Sequence, residues 1–214
     1  MALNINGTTG ISGVDGSVSA PAVTGTDSNT GITFPAADTI KFSTGGVERM
    51  SITNSGVSGI TAGITMADQW RLNSVFANNG ANVINANWER VDNTYWSGIG
   101  SQMTQSSGIF SFPTTGIYLI EFIARGTANG GPRQYAGAYI QTGVSSTYTN
   151  VADSYANCAA HGYYFNTKCS TIFDVTNTST HTVRFNAESS GDCNYSGNTN
   201  QSQTFVTFLR LGDT

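Results

Sequence analysis

The chain has many serines but only three cysteines and two histidines, and few of these stand close together in the sequence. Cys158 stands three positions before His161, and a thiolate beside an imidazole is the pair that a cysteine nucleophile uses. Positions three apart on a strand point to opposite faces, so we do not expect this pair to meet. No serine lies in the Gly-x-Ser-x-Gly turn that marks a hydrolase nucleophile. We therefore expect no catalytic residues and no enzyme activity.

Carboxylates and cysteines give equally little sign of a site. Cleavage of a sugar polymer needs two acids about 5–10 Å apart in a cleft, and the acids here are scattered singly, which leaves a surface-glycan hydrolase as a minor alternative. Cys158, Cys169 and Cys193 contain no Cys-x-x-Cys pair, so neither a zinc site nor a full disulfide framework is predicted. The odd number fits a reducing compartment, with one disulfide left open. We expect no metal and no cofactor.

Composition favours an all-β protein. Gly, Thr, Ser and Asn occupy 97 of the 214 positions, and only 10% of the residues are charged. Thr and the aromatic residues suit pleated strands, while Gly, Ser and Asn supply turns. The net charge of −4 comes without clusters of Lys or Arg, so nucleic acid is not an expected partner. No stretch approaches the roughly 20 apolar residues of a membrane span, so membrane insertion is not expected either.

Residues 1–65 predict a short repetitive β-stalk. Thr44-Gly45-Gly46 is a strong hairpin turn, with Ile40 and Phe42 alternating before it and Met50 and Ile52 after it. This pattern predicts a two-stranded ribbon with one apolar face. A lone hairpin is marginal in water. Three chains wrapped about an axis would bury that face and cover the strand edges.

The segment from Gly45 to Ile60, GGVERMSITNSGVSGI, resembles a short element that recurs in bacteriophage tail fibres. In that element a Glu-Arg-Met pair of strands is followed by a Gly-rich turn and Val-Gly-Ile. There it lies between a thin N-terminal stalk and a C-terminal head. The resemblance implies that residues 1–65 attach the protein to other virion proteins.

From Met66 onward the sequence predicts about nine strands with the turn spacing of a sandwich or jelly roll. Asn78 to Asn87 is expected to be an Asn-rich loop. The strand from Ile117 to Ala124 has two apolar faces, as has that from Thr204 to Leu211, although a two-layer sandwich buries only one face of each strand. We interpret the second face as a trimer interface, the alternative being the core of a larger monomeric domain. The residues assigned to this interface are Tyr118, Ile120, Phe122, Tyr164, Val206 and Phe208.

Two charged residues interrupt these apolar strands. Glu121 and Arg210 fall mid-strand, where an unpaired charge would be costly. We predict that each is paired with an opposite charge, either with each other or with a third residue.

A second resemblance covers residues 66–214. Ser107 to Phe122, SGIFSFPTTGIYLIEF, and the end of the chain, QTFVTFLRL, are similar to the tumour-necrosis-factor-like jelly roll, especially the globular head of the complement first component. A Gly-x-Phe-x-x-Pro-x-x-Gly-x-Tyr-x-Phe signature leads into a core strand of that family. The resemblance implies an antiparallel jelly-roll β-sandwich that forms a homotrimer. The chain has no collagen-like stalk and no acidic cluster that would match a calcium site. A Gly-rich stalk before such a head is the arrangement of virus fibres.

These inferences converge on a phage virion fibre protein, made in the host cytoplasm, that binds the host cell surface through its head without catalysis. The alternative is a capsid-decoration, head-fibre or tail-adaptor protein without a dedicated receptor. The expected partners are two further copies of the chain, other virion proteins and a host surface glycan or protein. Long polar loops at 126–133, 142–149 and 189–200 are the expected recognition elements. The residues chosen from them are Arg133, Tyr148, Asp192, Asn194 and Tyr195.

Overall fold

The structure is a computed structural model, and it describes residues 4–6, 10–12, 15–59, 63–94 and 96–214. All of the regular secondary structure within these residues is β-strand, as the composition predicts. In the same residues, no helix has the length and apolar character needed to cross a membrane. The chain divides into two compact units, residues 1–62 and 63–214. The remaining residues of the predicted stalk, including Ile60 of the fibre-like element, lie outside the described residues.

The first unit consists of short antiparallel strands. They are β1 (Asn4–Asn6), β2 (Gly10–Ser12), β3 (Gly16–Ser17), β4 (Ala20–Pro21), β5 (Val23–Thr24), β6 (Gly31–Ala36), β7 (Thr39–Thr44), β8 (Val47–Thr53) and β9 (Gly56–Ser58). Strands β5 to β9 pair in chain order to form a five-stranded antiparallel meander.

The predicted hairpin of the first unit is confirmed. Phe42 lies opposite Met50, and Ile40 lies opposite Ile52. The turn uses Gly45 and Gly46 at φ angles of 59° and 73°. A positive φ at both central positions matches the twist of the flanking strands, and Gly adopts it without strain.

The second unit contains eleven strands among its described residues. They are β10 (Met66–Leu72), β11 (Phe76–Val83), β12 (Trp88–Arg90), β13 (Thr104–Ser106), β14 (Ile109–Ser111), β15 (Gly116–Ala128), β16 (Arg133–Val144), β17 (Thr147–Cys158), β18 (Tyr164–Val175), β19 (His181–Tyr195) and β20 (Phe205–Gly212).

These strands form two packed layers. Sheet I has the order β12-β10-β20-β15-β18. Sheet II has the order β17-β16-β19, with β14 and β11 lying one after the other along the far edge of β19 and β13 beyond β14. All of these pairings are antiparallel. The layers are continuous at one corner, where the end of β15 pairs with the end of β19.

Aromatic side chains fill the space between the sheets. The Phe110 ring lies 5.5 Å from Phe208, 5.4 Å from Phe185 and 5.4 Å from Trp88, measured between centroids. Phe122 lies 5.0 Å from Phe185. Such edge and tilted contacts add to the burial of apolar area, so this cluster holds sheet I against sheet II.

Three predicted loops are largely strands instead. The predicted loop 142–149 is the end of the β16–β17 hairpin, with only Ser145 and Ser146 in the turn. Asn78, expected in an Asn-rich loop, belongs to β11, where its buried amide donates to the carbonyl of Gly80 at 2.7 Å and to Ser189 Oγ at 3.2 Å. The register of β11 on β19 shifts at this point, which marks a bulge. The loop predicted from Ser189 is also strand as far as Tyr195, because β19 continues to pair with β11 and β15 there.

Candidate functional site

The outer side of sheet I presents an apolar surface, here called the apolar face, which one polar row interrupts. Leu119 lies directly opposite Leu209 on one neighbouring strand and Ile172 on the other. Ile172 is 64% exposed, and Leu119 and Leu209 are half-buried. The apolar face consists of Ile117, Leu119, Ile123, Ile172, Phe205, Leu209 and Leu211. A single chain leaves this surface in contact with water.

The structure corrects the face assigned to the trimer interface. The side chains in question are fully buried inside one chain, so they cannot reach a partner. They are Tyr118, Ile120, Phe122, Val206 and Phe208. The reason is that this side of β15 and β20 meets the aromatic rings of sheet II, which close the sandwich over it. Their neighbours at odd-numbered positions of the two strands therefore point outward.

Tyr164 is the exception among the six predicted interface residues. Its side chain is 66% exposed and lies on the same side of β18 as Ile172. The Arg125 guanidinium lies over its ring, 4.7 Å from the centroid. Tyr164 therefore extends the outer surface of sheet I at the end of β18.

Both charges that interrupt the apolar strands are paired, as predicted, though not with each other. Glu121 Oε1 lies 2.5 Å from Lys168 Nζ on the neighbouring strand. Arg210 pairs with Asp213. Glu121 lies between the apolar positions of Leu119 and Ile123, so a polar row crosses the apolar face.

A buried ion cluster near the same sheet escaped the sequence analysis. Arg71 has no exposed surface, and its guanidinium donates to Glu89 at 2.7 and 3.0 Å, to Asp92 at 2.7 Å and to Asn93 at 2.8 Å. Burial raises the pKa of Glu89, but hydrogen bonds from Arg71 and Thr199 outweigh it and hold that pKa below its usual value. Arg71 faces Glu89 across the β10–β12 pair. The cluster therefore holds β12 and the residues that follow it against β10.

Three of the predicted recognition residues do lie together at one end of the sandwich. Arg133 Nε donates to the carbonyl of Asp192 at 3.0 Å, and Asp192 Oδ1 accepts from Asn79 at 2.7 Å. Asn194 joins Asp192, Asn79 and neighbouring residues in lining a shallow depression of about 260 Å³. The depression offers amide and carboxylate groups, which can bind a polar ligand through hydrogen bonds.

The other two predicted recognition residues lie elsewhere. Tyr148 is near the tip of the β16–β17 hairpin, about 30 Å along the strand from Arg133 at roughly 3.4 Å per residue. The Tyr195 side chain is fully buried, and its hydroxyl donates to the carbonyl of Gly137 at 2.5 Å and accepts from the Glu188 amide at 3.1 Å. Tyr195 is therefore a core residue, and its assignment to recognition is wrong.

Four tyrosines, Tyr135, Tyr139, Tyr148 and Tyr155, lie on the outer side of sheet II, here called the tyrosine face. Of these four, only Tyr148 was predicted from the sequence to have a binding role. Tyr155 on β17 lies opposite Gly137 on β16 and reaches past it to Glu188 on β19. Tyr148 lies opposite Gly143 and reaches Thr182 in the same way, at 3.1 Å. In both rows a glycine leaves room for a ring to lie across the sheet. The sequence shows the tyrosines and glycines of β16 and β17, but which glycine lies opposite which tyrosine depends on the register between the two strands.

A Cβ atom at either glycine would collide with its surroundings. At Gly143 it would lie 2.7 Å from Cε1 of Tyr148, and at Gly137 it would lie 2.0 Å from the carbonyl oxygen of Ser154. The Arg184 guanidinium covers the other side of the Tyr148 ring at 3.8 Å from its centroid. The tyrosine face is therefore held rigidly by packing and hydrogen bonds.

The structure does not bring Cys158 and His161 together as a catalytic pair. Cys158 is buried, and burial raises the pKa of its thiol. His161 is exposed, and its Nδ1 accepts from the Gly130 amide at 2.9 Å. All three cysteines are free thiols. In the described residues no three His, Cys, Asp or Glu side chains are grouped as metal ligands.

No protein-family profile matches the chain, and neither does any curated protein sequence. The structure of Eiger TNF from S. frugiperda is similar with a TM-score of 0.56 and 11% identity, covering 70% of this chain and 94% of that one. Murine APRIL at pH 8.0 is similar with a TM-score of 0.51 and 11% identity, covering 68% of this chain and 98% of that one. At this identity the similarity concerns the fold. The predicted all-β jelly-roll β-sandwich is confirmed.

Proposed function

We propose that this chain is a homotrimeric, non-enzymatic fibre protein of a bacteriophage virion. Residues 1–65 form a stalk that joins other virion proteins, and residues 66–214 form a head that binds the host cell surface. The observation that carries the proposal is the apolar face of sheet I. Exposed apolar patches of this kind mark interaction surfaces, and a symmetric oligomer removes them from water.

The first unit supports the same assembly. Its five-stranded meander leaves Phe34, Ile52, Val47 and Val57 between 38% and 59% exposed in one chain. A short ribbon with an uncovered apolar side gains stability when copies pack together about an axis. The resemblance of residues 45–60 to a tail-fibre element and of the head to tumour-necrosis-factor-like domains supports a trimer with a virion role.

Native mass tests the assembly. Light scattering of the purified full-length protein should give about 68 kDa, three times the chain mass of 22.5 kDa. Leu119→Asp places a carboxylate on the apolar face and should reduce the mass toward that of one chain, since a buried unpaired charge is strongly unfavourable. Ile109→Asp is the matched control, because Ile109 is an exposed apolar residue on a strand of sheet II. A monomeric parent protein would refute the trimer.

Cell binding tests the role of the head. Fluorescently labelled protein should bind saturably to whole cells of at least one strain in a panel of bacteria, and unlabelled protein should compete. Three linked heads bind more tightly than one, so the Leu119→Asp protein should bind at least tenfold more weakly. Absence of saturable binding to every strain would favour a structural fibre or adaptor without a receptor.

A further inference from the structure

The tyrosine face contains a corner built from two rings and one carboxylate. Tyr135 and Tyr155 have ring centroids 5.7 Å apart and ring planes at 85° to each other. With Glu188 they line a surface pocket of about 390 Å³. The two tyrosines are 38% and 41% exposed, so a ligand can reach both rings.

We propose that Tyr135, Tyr155 and Glu188 form a binding site for a quaternary ammonium group of the choline type. The faces of aromatic rings carry partial negative charge and attract a cation within about 6 Å of the centroid. Glu188 adds a full negative charge at the same corner. A quaternary ammonium has no N–H groups, so ring faces and one carboxylate can bind it without directional hydrogen bonds.

The surrounding charges favour a cation. Asp153 lies opposite Tyr139 on the strand next to the corner and adds a second carboxylate to the tyrosine face. Arg184 is four residues from Glu188 along β19, which places their Cα atoms about 13 Å apart. The Arg184 Nε donates to Gln141 Oε1 at 2.6 Å. The pKa of Tyr155 is raised by burial and also by the hydrogen bond and charge of Glu188. Glu188 and Asp153 therefore place two carboxylates beside the corner.

The corner is organised before a ligand arrives. The Tyr155 hydroxyl donates to Glu188 Oε2 at 2.5 Å, which fixes the ring and the carboxylate together. Gly137 lies between them in the sheet and lets the phenol lie across β16. A rigid site loses little side-chain entropy on binding. A pyranose ring would instead need one flat exposed ring face, whereas these two rings meet at a right angle.

This inference deepens the proposed function, because it names a chemical group on the surface that the head would recognise. The site lies within one chain, so its test does not depend on trimer formation or on cell binding. Failure of the choline test with intact cell binding would remove this site alone. Failure of cell binding with intact choline binding would remove the proposed host attachment alone.

The experiment is a calorimetric titration of the full-length protein with choline chloride. We expect a dissociation constant on the order of 1 mM, from two cation–π contacts and one ion pair. The probe for charge is 3,3-dimethylbutan-1-ol, which has the shape of choline without its charge. This alcohol should bind at least tenfold more weakly, and equal binding of the two compounds would overturn the proposal.

Three variants locate the site. Tyr135→Leu and Glu188→Gln should each weaken choline binding by about five- to thirty-fold, the range that corresponds to roughly 1–2 kcal/mol. Tyr163→Leu is the matched control, because Tyr163 is 60% exposed and lies outside the pocket. Circular dichroism checks that each variant is folded. Unchanged affinity in both site variants, or no binding of choline by the parent protein up to 50-fold above the expected constant (roughly 50 mM), would refute the site.

A final comparison identifies the molecule that carries the quaternary ammonium group. Free choline phosphate is compared with vesicles of phosphatidylcholine and with vesicles of phosphatidylglycerol, which lack choline. Retention on phosphatidylcholine vesicles alone, lost in Glu188→Gln, would identify a lipid headgroup. Binding of choline phosphate without vesicle retention would identify a soluble or glycan-linked group. Binding of neutral hexoses in place of choline would overturn the inference.

Discussion

Replacing Phe208 by alanine should destabilise the fold of each head without changing how chains assemble. Phe208 is fully buried, with ring centroids of Phe110, Phe185 and Phe112 at 5.5, 5.9 and 6.5 Å. Removing a buried phenyl ring costs about 3–5 kcal/mol, since the lost transfer energy is joined by a cavity that neighbours fill only in part. In a unit of this size the melting temperature should fall by roughly 6–20 °C.

Tryptophan fluorescence is the appropriate assay, because all three tryptophans, Trp70, Trp88 and Trp96, lie in the second unit. Leu209→Ala is the matched control, since Leu209 is the next residue and points to the apolar face. Its melting temperature should fall less, and the fall should depend on protein concentration because it acts through assembly. The reasoning is refuted if Phe208→Ala dissociates the protein while Leu209→Ala lowers the stability of the fold more.

The remaining predictions concern the tyrosine face and the thiols. Gly137→Ala should lower the free energy of unfolding by about 1–3 kcal/mol, because its Cβ would lie 2.0 Å from the Ser154 carbonyl oxygen; denaturant titration measures this, and a neutral result would mean that β16 and β17 are spaced more widely. The thiols of Cys158, Cys169 and Cys193 should resist iodoacetamide at pH 8 in the folded protein and react after unfolding, and mass spectrometry measures the labelling. Burial raises all three pKa values, that of Cys169 to about 12, and rapid labelling of the folded protein would contradict the burial.

Strand identity was predictable from the sequence because strands alternate, but the choice of inner face was not. In β15 both Leu119 and Tyr118 belong to apolar rows, so periodicity alone assigns neither row to the core. The prediction assigns the larger, aromatic row to the trimer interface. The structure reverses this, because Phe110 and Phe185 of sheet II need aromatic partners of matching volume. That complementarity is a property of two strands far apart in sequence.

The register between paired strands explains why the sequence did not predict the Arg71 cluster or the Tyr155–Glu188 contact. Arg71 and Glu89 appear in the sequence as two unremarkable charges 18 positions apart, and only the pairing of β10 with β12 places them opposite each other. Likewise Tyr155 and Glu188 meet because Gly137 is their common neighbour across β16. The hairpin at Gly45 and Gly46, in contrast, was predictable as an element, since its turn is local. Its register was not predictable in full, because a bulge that leaves Arg49 unpaired brings Phe42 opposite Met50.

The outer faces of the two sheets differ in a way that separates assembly from recognition. On sheet I the outward residues Leu119, Leu209 and Ile172 form an apolar patch beside the Glu121–Lys168 ion pair, and such a patch suits a permanent contact between identical chains. On sheet II the Tyr155 hydroxyl, which points outward, donates a hydrogen bond to the Glu188 carboxylate. Both groups remain hydrated in a single chain, so no desolvation free energy is lost. A partner that buried this pair would have to desolvate the carboxylate, which is unfavourable unless it brings a positive charge. We therefore expect the outer side of sheet II to bind the proposed cationic ligand and not a second copy of the chain.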